Sequence, residues 1–149
     1  MKTIRNFEMK VRRVKLADAG EPYHARVREP EDVMRIAQLL IGDRAEESFV
    51  VIILDIKNRV LGYSETARGS VDACPVDMRA AFRTAVVLGA SAVIAAHCHP
   101  RGDPNPSGED LVLTERLKAA GELLGIQLLD HVVVTDEDTV SLRGRGLIA

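Results

Sequence analysis

Aromatic side chains are scarce: 3% of the 149 residues, with no tryptophan. A groove that grips single strands by stacking bases on rings has little to work with. Charge of one sign is lacking too. The formal net charge is −2, which excludes a chain that binds nucleic acid through its overall charge. No apolar run approaches the roughly 18 unbroken residues of a membrane span. The opening MKTIRNFEMKVRRVK holds no segment fit for a signal-peptide core. The chain is therefore expected to be cytoplasmic, with no membrane partner. Cysteine is limited to Cys74 and Cys98. Without an export signal, free thiols are expected rather than a disulfide.

What is present suits one globular domain over 1–149, including an N-terminal extension of strand and turns over 1–30. The hydrophobic share, 46%, is ordinary for a soluble core of this size. Lys2, Arg5, Lys10, Arg12, Arg13 and Lys15 face only Glu8 in the first stretch. Such a run reads as a solvated strand face over 7–16 rather than a phosphate-binding patch. A turn-rich connection follows over 17–30.

From Pro30, apolar residues Val33, Ile36, Ala37 and Leu40 recur with helical spacing, and Gly42 suits the stop. SFVVIILDI, 48–56, is a continuous run of the kind that forms a strand covered on both faces. VLGYSET reads as its hairpin partner, and 67–76 as a loop. Residues 77–89 form a predicted helix with Ala81, Ala85 and Leu88 on one side. ASAVIAA is a short buried strand leading to His97. After a loop, Ser107 and Asp110 have capping-box spacing. Leu113, Leu117, Ala120 and Leu124 carry the next helix's apolar stripe, closed by Gly125. IQLLDHVVV is another buried strand, and 139–142 add one at the edge. The fold class is α/β or α+β: a mixed central sheet flanked by about three helices.

The chemistry concentrates in HCHPRGDPNPSGED, residues 97–110. In extended chain, residues two apart point the same way, so His97 and His99 can reach one point while Cys98 faces away. Asp110, in the first turn of the following helix, can fold back to them. Two imidazoles and a carboxylate make a three-ligand site with an open position, as in catalytic zinc centres. Taken singly, the pair of histidines, the cap serine and the cap aspartate are ordinary structural residues. Their combination around a loop bent by Pro100, Pro104 and Pro106 points to a metal. Imidazole also suits copper, iron and nickel, so zinc is a preference.

The spacing His-x-His, seven residues, Ser, two residues, Asp resembles the JAMM (MPN+) metalloprotease signature. From about Glu47 to Ser141 the chain is similar to the RadC-like branch of that family, as a stand-alone JAB domain. The resemblance rests on ESFVVIILDIKNRV, Gly69, the long run from RAAFRTAVVLGA through LLDHVVV, and VSL. It implies a cytidine-deaminase-like JAB/MPN fold and one Zn2+ per chain, held by His97, His99 and Asp110. It further implies Ser107 as an oxyanion donor and Glu47 as the general acid/base. Spacing alone does not separate Glu47 from Glu46; the E-x-F context matches Glu47.

There are departures. Cys98 stands where RadC-like chains carry Asn. DMRA, 77–80, replaces HPRE. Cys74 occupies a position where a small polar residue is usual. His131, on a buried strand, reads as a hydrogen-bonded core residue. Longer relatives of this type carry an N-terminal helical module, for which the roughly 46 residues before Glu47 are too few.

The implied activity is zinc-dependent hydrolysis of a peptide or isopeptide bond, with a peptide or ubiquitin-like protein as substrate. One alternative is a metal-dependent nuclease or DNA-repair-associated protein, supported only by the basic N-terminal stretch. Another is a non-catalytic binding module. Oligomeric state is not legible.

Overall fold

Seven consecutive buried residues, Ser48–Leu54, form β1. In the computed structural model, which describes residues 3–6, 8, 10, 12, 25–69, 76–100 and 102–148, this strand is covered on both faces. The run ends at Leu54 rather than Ile56 because Asp55 starts a turn. Its carboxylate accepts from the N–H groups of Lys57 and Arg59, each at 2.9 Å. Asn58 takes the left-handed conformation that completes the turn. The chain then returns antiparallel as β2, Val60–Arg68.

Around this hairpin, the described residues form three helices and three further strands. Helix α1 spans Pro30–Ile41, with Pro30 in its first turn and Gly42 as its cap. Helix α2 spans Met78–Leu88, β3 Ala92–Cys98, α3 Gly108–Leu124, β4 Gln127–Val134 and β5 Thr139–Ser141. The five-stranded sheet has the order β2-β1-β3-β4-β5. Only β3 and β4 run parallel, and α3 is the crossover between them. The α/β class, the mixed sheet and the three helices agree with the pattern legible in the sequence. The expected N-terminal strand over 7–16, the connection from 17 and the loop around Cys74 fall largely outside the described residues.

Alternation along the strands divides the core. Val50, Ile52, Ile94, Ala96, Cys98 and Val132 face α1. Phe49, Val51, Ile53, Val93, Ala95 and Leu128 face α2 and α3. No described helix is long and apolar enough to cross a membrane.

Two expected helix stripes hold in part and are corrected at their C-terminal residues, Leu88 and Leu124. On α2, Ala81 and Ala85 are buried, but the third core residue is Phe82, while Leu88 is 41% exposed. Gly89, in the left-handed conformation, turns the chain away directly after Leu88. On α3 the buried residues are Asp110, Thr114, Leu117 and Gly121. Leu113 and Ala120 are only partly buried, and Leu124 is exposed. The helix is rotated so that polar residues near its start face the end of β3 and a glycine meets the chain at its close.

Candidate metal centre

His97 lies within β3, the middle strand, and its register partners are Phe49 on β1 and Val133 on β4. Carried two residues further, the β1–β3 register runs out at Glu47 and His99. The N-terminus of α3 packs at the same end, at the carboxyl end of the parallel pair, where α/β sheets commonly bind ligands. The connecting loop is tied down locally. Asp103 accepts from the Asn105 N–H at 2.9 Å, and the Arg145 guanidinium donates to the Asn105 side-chain oxygen at 2.6 Å.

At the start of α3, Ser107 and Asp110 cap the helix reciprocally. The Asp110 N–H donates to Ser107 Oγ at 3.1 Å, and the Ser107 N–H donates to Asp110 Oδ2 at 2.7 Å. This fixes the Asp110 carboxylate, which is almost fully buried. His97 Nε2 lies 3.1 Å from its Oδ1, and His99 Nε2 lies 3.6 Å from its Oδ2. The two Nε2 atoms are 2.9 Å apart. Burial works to raise the Asp110 pKa, but when no ion is bound and His97 is protonated, the hydrogen bond and charge of His97, with the bonds from Ser107, outweigh it and hold the carboxyl well below the usual range.

His97, His99 and Asp110 are a group able to hold a metal ion. Bonds of 2.0–2.1 Å at a tetrahedral ion separate neighbouring ligand atoms by about 3.3 Å. One ligand atom from each of the three residues lies within 4.8 Å of the others, with the two Nε2 atoms 2.9 Å apart and each beside a different oxygen of the Asp110 carboxylate. The donor chemistry fits as well. His99 Nδ1 lies 3.0 Å from the Asp103 carbonyl oxygen, which can only accept. In the neutral ring Nδ1 therefore carries the proton, and Nε2 turns a lone pair toward the carboxylate. Lone pairs and a negative charge converging on one point are stabilised by a cation.

The group lines a cavity of about 60 Å³ together with Glu47, Ser107, Glu109 and Leu113. Glu47 is half-buried; Glu46 is exposed and is not among the lining residues. Ser107 Oγ accepts from the Asp110 N–H, which leaves its own proton to point elsewhere. Cys98 projects to the α1 side of the sheet, where its thiol donates to the Glu46 carbonyl at 3.2 Å. Burial pushes that thiol's pKa up. Cys74 lies outside the described residues.

Behind the group stands His131, fully buried. Its Nε2 is 2.9 Å from His97 Nδ1, and its Nδ1 is 2.7 Å from Thr114 Oγ1. Sequence reading treated His131 as a core residue and missed Thr114 and Glu109. Thr114 had one available signal: it falls four residues after Asp110, on the same helix face.

Known proteins match this chain over most of its length. The model of the RadC-like JAB domain covers residues 27–147. The UPF0758 protein of Desulforamulus reducens is 40% identical over 132 residues, 87% of this chain and 58% of that protein. The UPF0758 protein of Methanosarcina mazei is 37% identical over 123 residues, 83% of this chain and 54% of that protein. The one from Syntrophotalea carbinolica is 44% identical over 108 residues, 72% of this chain and 48% of that protein. The chain thus spans about half the length of the curated relatives it matches. A match that runs from before α1 to beyond β5, and takes in the His-His-Asp group, leads to one conclusion: this chain belongs to the RadC-like JAB domain family.

Proposed function

We propose that the chain is a zinc-dependent hydrolase of the JAMM type, cleaving a peptide or isopeptide bond with activated water. The observation that carries the reading is the convergence of His97, His99 and Asp110 in a cavity also lined by Glu47 and Ser107. The two imidazoles and the carboxylate would hold a zinc ion, which would supply Lewis acidity and lower the pKa of a water to about 7. Glu47 takes the water's proton and returns it to the leaving amine. Ser107 turns its free O–H toward the oxygen on which charge develops. Asp110, pinned by the helix cap, keeps its carboxylate in place throughout. The substrate class is a peptide or a ubiquitin-like protein conjugate, entering from the open side of the cavity.

The test pairs two variants with a substrate screen. Purified protein is assayed for metal, then offered peptide, isopeptide and nucleic-acid substrates. Glu47→Gln keeps the shape but cannot accept the proton. Turnover should fall by roughly 10²- to 10⁴-fold, with metal content unchanged. Glu46→Gln should be close to silent. Full activity in the Glu47 variant sinks the mechanism. Cleavage of nucleic acid alone, lost in the same variant, replaces the peptidase with a nuclease.

A further inference from the structure

A backbone carbonyl oxygen can accept a hydrogen bond and never donate one. This fixes the direction of every proton behind the metal group. The Thr114 hydroxyl donates to the Asp110 carbonyl at 2.7 Å. With its proton so committed, Thr114 Oγ1 accepts from His131 Nδ1–H. In a neutral His131 ring the other nitrogen, Nε2, is then bare, and it accepts from His97 Nδ1–H. His97 is left with its Nε2 lone pair facing His99 and Asp110.

From this chain of bonds we infer that His131 and Thr114 are positioning residues for the metal centre, fixing which nitrogen of His97 faces the ion. The inference rests on the metal reading above and gives it a supporting layer. Histidine ligands need their second ring nitrogen held by an acceptor, which sets both tautomer and ring angle. A carboxylate or a carbonyl is the common acceptor; here a second histidine fills the role. The relay starts on one ligand, His97, and ends on the backbone of another, Asp110. It therefore ties the strand that carries the first to the helix that carries the second.

Its surroundings keep it dry. Phe49 is fully buried, its ring 6.2 Å from that of His97 and 6.0 Å from that of His131. Thr114 is 1% exposed and His131 0%. With His97, His131 and Thr114 all buried, these bonds are shielded from solvent, and each donor is left facing one acceptor. A member left unpaired there loses its hydrogen bond with no water to replace it, which destabilises the arrangement.

The test has two arms. Imidazole nitrogen NMR of the wild-type protein, with and without zinc, reads the His131 tautomer directly. The expected result is a proton on Nδ1 and a bare Nε2 in both states. The second arm measures zinc affinity by competition with a chromophoric chelator. His131→Leu should weaken it by about 10- to 100-fold. His131→Gln, whose amide oxygen can accept from His97, should recover most of that loss. Thr114→Val keeps the buried shape and should weaken zinc binding severalfold; it still reads the relay if His131→Leu does not fold. A proton on His131 Nε2, or unchanged affinity in His131→Leu or Thr114→Val, overturns the inference. Wild-type protein that takes up no zinc overturns the metal reading and this inference with it. That failure is distinguishable, because the tautomer is also read without metal.

Discussion

Cys98 sits between two histidines in the chain and on the opposite side of the sheet from their rings. Strand alternation puts it among the apolar residues that face α1. Its thiol donates to the Glu46 carbonyl, and burial keeps it protonated. A protonated, averted thiol is not a metal ligand. Cys98→Ser should therefore leave metal content and turnover within a few-fold of wild type, measured by elemental analysis and by rate on the substrate the screen finds. A loss of metal in this variant would mean that the strand turns over between His97 and His99. The same alternation is what made the pair of histidines readable in the sequence. The choice between Glu46 and Glu47 was not readable that way. It depends on where β1 begins against β3, and spacing along one strand does not carry that register.

Helix α3 shows where a pattern in the chain stops short of the fold. Its ends were legible: Ser107 and Asp110 at one, Gly125 at the other, each through the chemistry of a helix terminus. Its face was not. Leucines at 113, 117 and 124 promised an apolar stripe, yet Leu124 lies exposed while Asp110 and Thr114 lie buried. The approach of Asp110 to His97 and the hydrogen bond between Thr114 and His131 draw the polar face inward, and that preference is invisible without the neighbouring strands. Gly121 completes the rotation. A Cβ there would collide with the Ile126 carbonyl oxygen, so only glycine lets the helix end lie against the entry to β4. Gly121→Ala should cost about 1–3 kcal/mol. That corresponds to a melting temperature lower by roughly 2–12 °C for a chain of this size, read by thermal denaturation. Stability unchanged by the added methyl would show that the helix end can slide away from the strand.

On the scale of the whole molecule, the candidate centre joins parts that lie far apart along the chain. His97 and His99 belong to the end of β3, Asp110 to the start of α3, and Glu47 to the approach to β1. An ion held by the first three is a cross-link between sheet and helix, and binding it stabilises the folded state by mass action. Zinc at about a hundred times its dissociation constant adds about 2.7 kcal/mol. The melting temperature should rise by roughly 5–10 °C, and a chelator should reverse the rise. His99→Ala removes one of three ligands and should abolish the shift. If that variant still gains stability from stoichiometric zinc, the ion binds elsewhere.

The candidate ligands all come from one stretch of fourteen residues, 97–110, whereas Glu47 lies fifty positions upstream of His97. On the proposed reading, holding the ion and moving the proton are therefore encoded in separate stretches of the chain. A lineage that loses the glutamate keeps a folded, metal-loaded protein, which can persist as a sensor or a scaffold. A lineage that loses a histidine forfeits the ion, its cross-link and the chemistry together. Decay of such a site is biased: the gentler first step is loss of catalysis with the metal retained, and a descendant that holds its zinc but cleaves nothing is the form in which a retired enzyme of this architecture would survive.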